Sequence, residues 1–414
     1  MVVEFPYGDG SLGLADYQDL KCEVVYPTGV AAIDTSTEFQ NILSKQNPVR
    51  SIGHFIRDAE SAAISIETRY LSSIIQPMLT ELLNHIVAGG ISSENITILF
   101  NEQDKNCSQL DVSSLQTDSP FDSCNLCIHN PFDDSRVVWV GETTASNGVL
   151  LCESYVRADF RVGMGAIAPD GFIGATGGGT AVLPNIASRE TIIRNHKLRL
   201  QNDPRFFDIT QPAAEDIAEA ARLGGLDYVF NCVIGGSGTP ASIVAGSFPE
   251  AWMEGVHTSE RLTIKDTPHS ASIVVIGGGG HPFDSTIYDT VDCLIAAEKV
   301  TQHGGTIVLV AQCSDGLGPA GLGIGMTEES GSLVAGSLTN ADFLIGMEKA
   351  RILRRILETR NLIVVGELQK NLVEEVLKGR KAADLPDAID MALANHPSYP
   401  RVVIIPDGRF ISFS

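Results

Sequence analysis

Short apolar runs alternate along the chain with longer stretches in which apolar residues return once per helical turn, the rhythm of an α/β protein. Residues 61–66 (SAAISI) predict a strand that opens into Glu67-Thr68-Arg69. The stretch IIQPMLTELLNHIVAGG sets Ile75, Leu79, Leu82, Leu83 and Ile86 on one helical face and stops at Gly89-Gly90. NITILF (95–100) is the next expected strand, and VVWVGE (137–142), VLLCESYVR and ADFRVGMGAI are expected to continue the same sheet. LDYVFNCVIGG then reads as a strand and TPASIVAGSFPEAWMEGVH as a helix.

The pattern restarts around HTSERLTIKDTPHS, which divides the chain into domains of residues 1–262 and 263–399. In the second domain SIVVIGGGG (272–280), IYDTVDCLIAAEKV and GGTIVLVAQCSDGLG form a βαβ unit. Its glycine loops follow the carboxyl ends of two strands, where open α/β sheets bind ligands. MEKARILRRILETR and NLIVVGEL repeat helix and strand, and the closing strand within 400–414 is expected to be able to return to the first domain's sheet. The fold class is α/β, with a largely parallel sheet and flanking helices in each domain.

Composition narrows the function. A chain of 414 residues exceeds one ordinary core, and 43 % apolar with 19 % charged residues is a globular profile. A net charge of −22 works against a nucleic-acid partner, because a phosphate backbone needs clustered Lys and Arg. MVVEFPYGDG has no basic region followed by an apolar core, and no apolar stretch is long enough to span a bilayer. A cytoplasmic protein with a small-molecule partner is the expectation, and a homo-oligomer is compatible with it. Eight scattered cysteines then read as free thiols, with Cys124 and Cys127 alone at metal-ligand spacing and no second pair to complete a zinc site.

The candidate chemistry begins in GATGGGTAVLPNIASRETIIRNH (174–196). Gly177, Gly178 and Gly179 leave the backbone bare, as a turn does or as a loop that lets a ligand approach the main chain. No Gly-Lys-Ser/Thr follows, so this is not an NTPase phosphate loop. GGGGHP (277–282) lacks a full dinucleotide fingerprint, which leaves a nicotinamide oxidoreductase as a minor alternative. His196 closes a helix that begins near Ser188, and its imidazole can ligate a metal or move a proton.

Taken together, the chain resembles the nickel-dependent lactate racemases, which use a nickel-pincer nucleotide. The likeness is carried by EFPYGDGSL (4–12), SIETRYLSSIIQPMLTELL (65–83), HNPFDDSRVVWVGET (129–143), residues 156–196, GGGGHPFDSTIYDTV, GGTIVLVAQCSDGLG and VVIIPDG, in order over nearly the whole length. It implies two domains with a cleft between them. It also implies a lysine tether after the glycine loop, two acid/base histidines and a nickel-ligating histidine.

Only the last of these is kept, as His196. The tether position is Thr180, which has no amine. One acid/base position is Asp170, after Pro169, and the other falls in NEQDKNC, which offers Asp104 or Lys105. On the substrate side Arg69 and Tyr288 persist. Asp289 and Asp292 replace a glutamine and a lysine, and two carboxylates there would repel lactate. The same residues also have structural readings: Asp170 as a turn carboxylate, and Asp289 and Asp292 as charges favoured near a helix start.

The resemblance thus implies a racemase or epimerase of a 2-hydroxy acid or related alcohol other than lactate. Its nickel-pincer cofactor would be held without a covalent bond at Gly177, Gly178, Gly179, Thr180 and His196. A paralogue that binds a ligand or regulates without catalysing is the alternative.

Overall fold

The computed structural model describes residues 2–15, 22–29, 31–34, 37–38, 40–42, 51–67, 72–101, 123–327, 339, 343–396 and 400–414. Arg69, Asp104 and Lys105 lie outside the described residues. The chain divides into two compact units: residues 1–29, 196–204 and 262–414 form the first, and residues 30–195 and 205–261 the second.

The first unit opens with a hairpin, Val3–Tyr7 (β1) and Gly10–Leu14 (β2), followed by Cys22–Val24 (β3). The second unit then begins. Ala62–Ile66 (β4), Ile96–Asn101 (β5) and Asn125–His129 (β6) are parallel neighbours, and all five side chains of β4 are buried. Such an unbroken apolar run suits a strand covered on both faces. Between β4 and β5 runs the helix Ser72–Ala88 (α1), whose Ile75, Leu79, Leu82, Leu83 and Ile86 are buried as the spacing requires. Gly90, at φ +111°, ends it in a conformation open to glycine.

Two expectations in this unit are corrected. Val137–Glu142 (β7) and Gly148–Cys152 (β8) form a separate antiparallel ribbon, and only Phe160–Ile167 (β9) continues the sheet. The ribbon's outer side chains explain this, because Trp139 is 66 % exposed and a central strand could not leave it so. After Pro169–Asp170 (β10), Gly174–Ala175 (β11) and Tyr228–Ile234 (β12) comes the second correction. PASIVAGS, expected within a helix, is the strand Pro240–Ser247 (β13), antiparallel to β12. Its β-branched Ile243 and Val244 and a proline at its start favour an edge strand over a helix. The sheet order is β13-β12-β9-β4-β5-β6, parallel except at β13. The helices Arg189–Leu198 (α2), Pro212–Leu223 (α3) and Glu250–Thr263 (α4) complete this stretch of chain, and the division between units falls inside α2, between Asn195 and His196.

From Leu262 the chain is again in the first unit. Ile264–Lys265 (β14) precedes the βαβ unit of Ala271–Gly277 (β15), Ile287–Val300 (α5) and Thr301–Val310 (β16). Ala320–Thr327 (α6), Met347–Thr359 (α7), Asn361–Val365 (β17), Arg380–Lys381 (β18) and Leu385–Asn395 (α8) follow. Val402–Ile405 (β19) and Ser412–Phe413 (β20) close the chain. The sheet, all parallel, has the order β18-β17-β16-β15-β19-β3.

The closing strand therefore does not return to the sheet of the N-terminal domain. It inserts between β15 and β3, and β20 pairs with β14, so the exchange runs the other way: β3, from the start of the chain, joins the C-terminal sheet, and the β1–β2 hairpin belongs to the same unit. The driving contact is apolar. Val3 and Phe5 are buried in one cluster with Ile273, Val275, Val308, Ile363 and Ile404. Among the described residues no helix is long and apolar enough to cross a membrane.

Candidate functional site

The glycine loop lies in the second unit, beyond the β10–β11 ribbon. Gly177 and Gly178 have φ of +80° and +57°, and every residue from 171 to 180 is buried. A Cβ on Gly178 would stand 2.5 Å from the Trp252 ring, one on Gly179 would stand 2.9 Å from Ile217, and one on Gly177 would stand 2.7 Å from Ile167. The glycines are thus required by close packing of the protein on itself. Gly177, Gly179 and Thr180 nevertheless line a small cavity beside these side chains. The Gly178 N–H donates to Asn231 Oδ1 at 3.1 Å, and Trp252 Nε1 is held by Thr176 O at 3.0 Å. Beside the loop, between Thr180, Ile217, Phe248 and Trp252, a cavity of about 10 Å³ has room for roughly one water.

Thr180, at the tether position, donates from Oγ1 to Glu67 Oε2 at 2.8 Å and lies 3.1 Å from Gly177 O. A hydroxyl has no nitrogen with which to form the thioamide tether that the resemblance implies. Asp170 is a turn residue: its Oδ1 accepts from the N–H groups of Phe172 at 2.8 Å and Ile173 at 3.0 Å. The structural reading of that carboxylate holds.

Helix α2 is fixed from the same unit. Ser188 Oγ accepts from Thr191 N at its start. Near its end the Asn195 amide donates to Asp216 Oδ2 and to Ala213 O, both at 2.9 Å. Asp216 is itself buried and also accepts from Asn147 at 2.9 Å and Thr143 at 2.6 Å. A buried carboxylate with this many donors has its acceptors satisfied and makes a rigid node. Asn195 is therefore an anchor for the helix that presents the next residue.

That residue, His196, belongs to the first unit. Its Nδ1 lies 3.1 Å from Glu348 Oε1, and the same oxygen accepts from the Tyr288 hydroxyl at 3.1 Å. Glu348 Oε2 accepts from Gly346 N at 2.8 Å, and Glu348 has no exposed surface. Burial pushes the imidazole below its ordinary value, with the Arg199 charge acting the same way, so His196 is neutral. Burial alone would raise Glu348, but the hydrogen bond and electrostatic attraction of His196, with the charge of Arg199, outweigh this and hold it ionised. A neutral imidazole facing an anionic acceptor carries its proton on Nδ1, which leaves the lone pair on Nε2. Nε2 makes no hydrogen bond among the described residues.

The three α5 residues named from the sequence sit beside this group. Tyr288 joins it directly. Asp292 pairs with Lys349 Nζ at 3.0 Å, and that ammonium also donates to Tyr288 O at 3.0 Å and stands 4.4 Å from the Tyr288 ring centre. Thr286 caps the start of α5, its Oγ1 accepting from the Asp289 N–H at 3.2 Å while its hydroxyl donates to the Asp289 carboxylate. The expected repulsion of a substrate carboxylate is weakened at Asp292, whose charge is offset by an ammonium, and the Asp289 carboxylate is engaged at the helix start.

Glu348 and Lys349 were missed in the sequence. The signal was present but weak: at i−4 from Ile352 and Leu353 they extend the buried apolar stripe of α7 with charged residues. Buried charges of opposite sign at adjacent positions mark a polar network rather than a solvated helix start.

These residues test a nickel-pincer nucleotide in two ways. A neutral imidazole with its lone pair on Nε2, oriented by a carboxylate, suits a metal ligand. The tether position, Thr180, does not suit covalent attachment. Among the described residues no group of three or more His, Cys, Asp or Glu could hold a metal, so any metal here would come with its other ligands supplied by a cofactor.

A two-unit α/β protein with an oriented histidine at the end of α2 and a glycine loop preceding it defines a class of racemase-like folds. Residues 7–207 match the lactate racemase N-terminal domain and residues 266–412 the lactate racemase C-terminal domain, and the chain belongs to the lactate racemase family. It is similar to lactate racemase of Thermoanaerobacterium thermosaccharolyticum, 23 % identical over 98 % of this chain and 97 % of that protein. It is also similar to lactate racemase of Lactiplantibacillus plantarum, 27 % identical over 68 % of each. The lactate racemase apoprotein structure from T. thermosaccharolyticum superposes with a TM-score of 0.87 over the whole of both chains at 22 % identity. A Thermotoga maritima protein superposes with a TM-score of 0.67 over 94 % of this chain and all of its own, at 12 % identity.

Proposed function

We propose that this protein is a racemase or epimerase of a small 2-hydroxy acid or related alcohol, working with a nickel-pincer type nucleotide held without a covalent bond. The observation that supports this reading is the His196–Glu348–Tyr288 group, in which the histidine that the resemblance aligns with a metal ligand is neutral and oriented. When bound, such a nucleotide supplies an acceptor for hydride and a donor for its return to the opposite face.

The chain's own residues supply the rest. Glu348 holds the proton on His196 Nδ1 and so keeps Nε2 basic. Tyr288 is tied through its hydroxyl to the same carboxylate, and Lys349 offsets the charge of Asp292. With that charge offset, the electrostatic argument against lactate rests on Asp289 alone, and lactate belongs among the substrates to be tried. The proposed partner is a small molecule and the proposed location the cytoplasm, in keeping with a charge of −22 and with free thiols at all seven described cysteines.

The test is production alongside the cofactor's biosynthetic enzymes, followed by metal analysis and chiral chromatography of 2-hydroxy acids. Near-stoichiometric nickel, lost in His196→Ala, together with interconversion of enantiomers is the expected result. A second reading, a paralogue that binds a ligand without turning it over, is favoured by Thr180 being bonded to Glu67 and by Asp170 being spent on its turn. Protein that gains thermal stability from a hydroxy acid yet retains no nickel and exchanges no substrate hydrogen would select it.

A further inference from the structure

The second unit holds a pair of thiols that the racemase reading does not use. Cys127 lies on β6 and Cys152 ends β8, and their Sγ atoms are 3.9 Å apart. Both are buried, and the Arg136 guanidinium approaches Cys127 Sγ to 3.6 Å through Nη2. The CxxC spacing drew attention to Cys124, but folding selects Cys152, 25 residues away, as the near neighbour of Cys127.

We propose that Cys127 and Cys152 form a hydroperoxide-sensitive dithiol, with Cys127 as the attacking sulfur beside Arg136 and Cys152 as the thiol that closes a reversible disulfide. A hydrogen bond from the Cys152 thiol and the charge of Arg136 lower Cys127 to about 6, against the effect of burial. Burial instead raises Cys22, Cys124, Cys232, Cys293 and Cys313. Cys152 is raised chiefly by its own bond to Cys127. Among the described cysteines the thiolate therefore forms at one position, which is what site-selective oxidation needs.

The chemistry balances in two steps. The Cys127 thiolate attacks the outer oxygen of a hydroperoxide, the O–O bond breaks, and the alkoxide or hydroxide released takes a proton to leave as alcohol or water. The Cys152 sulfur then attacks the Cys127 sulfenic acid, its proton joins the departing hydroxide, and water leaves as the S–S bond forms. The two thiols lose two electrons and two protons, and the hydroperoxide gains them. The sulfur atoms have to close from 3.9 Å to about 2.05 Å.

The bond would tie together two strands that already grip one segment. His129, two residues past Cys127, bonds through its ring to Ala187 O at 2.9 Å, and Cys152 N donates to Ile186 O at 2.9 Å. Ser188, next along, starts α2 by its hydroxyl. The disulfide thus braces the segment that leads to Asn195 and His196, and a reductant releases it.

The test treats the reduced full chain with hydrogen peroxide, blocks remaining thiols under denaturing conditions, and maps peptides without reduction. The expected result is a Cys127–Cys152 cross-linked peptide and a loss of two hydrogen masses, both reversed by dithiothreitol. Cys152→Ser should trap Cys127 as a dimedone adduct, and Arg136→Gln should slow oxidation by roughly fivefold. Should Cys127 and Cys152 both stay alkylatable at a peroxide dose that oxidises the exposed Cys22, the proposal fails. It fails equally if Cys127 pairs with any other cysteine. The wild-type map decides the matter even if a variant does not fold.

Discussion

Glu348 is a carboxylate with no exposed surface, and it stays ionised because three donors, from His196, Tyr288 and Gly346, converge on it. Its role follows from which proton it holds. With the Nδ1–H committed to Glu348, the imidazole has one free lone pair, and its direction is set before any ligand arrives. Replacing Glu348 by Gln turns one acceptor oxygen into a donor. We expect the His196 proton to move from Nδ1 to Nε2, seen as an exchange of the two ring ¹⁵N shifts in histidine-labelled protein. The loss of charge-assisted bonds should also lower stability by about 2 kcal/mol in urea unfolding. An unchanged nitrogen spectrum would show that Glu348 does not govern the tautomer.

At the scale of elements, the glycine loop and α4 show what a run of glycines does for packing. A run of three glycines invites a ligand, yet here Trp252 of α4 lies against Gly178 and Ile217 of α3 lies against Gly179. The loop is a docking point for helices. Gly178→Ala combines a left-handed backbone with a Cβ 2.5 Å from an indole ring that Thr176 O holds in place. It should destabilise the second unit by about 2–4 kcal/mol, read as a lower midpoint of thermal unfolding. A change of under about 0.5 kcal/mol would mean the ring has room to retreat.

For the whole molecule, the chain order and the unit order differ. The first strands of the chain belong with its last, since β3 lies beside β19, and the β1–β2 hairpin packs its Phe5 into the cluster under β15, β16 and β17. Phe5→Ala should therefore act on residues 262–414, more than two hundred positions away in sequence, and cost about 3–5 kcal/mol. Hydrogen exchange should show the loss in β15 and β16 and leave β4, β9 and β12 unaffected. Protection lost first in the second unit would contradict the division.

Much of this was legible in the sequence, for a physical reason. A helix such as α1 is written as a period, with Ile75, Leu79, Leu82, Leu83 and Ile86 on one face, and a buried parallel strand such as β4 is written as an unbroken apolar run. The βαβ order of the C-terminal half and the lactate racemase kinship were readable in the same local way, because each needs only neighbours in the chain. What the sequence left open depends on residues that meet only after folding. Cys127 found Cys152 rather than Cys124, Asp292 was neutralised by Lys349, and His196 acquired Glu348 from 152 positions away. Burial and partners together then set the charges of His196, Glu348 and Cys127, since the energy of an ionised group depends on what surrounds it and not on its place in the chain.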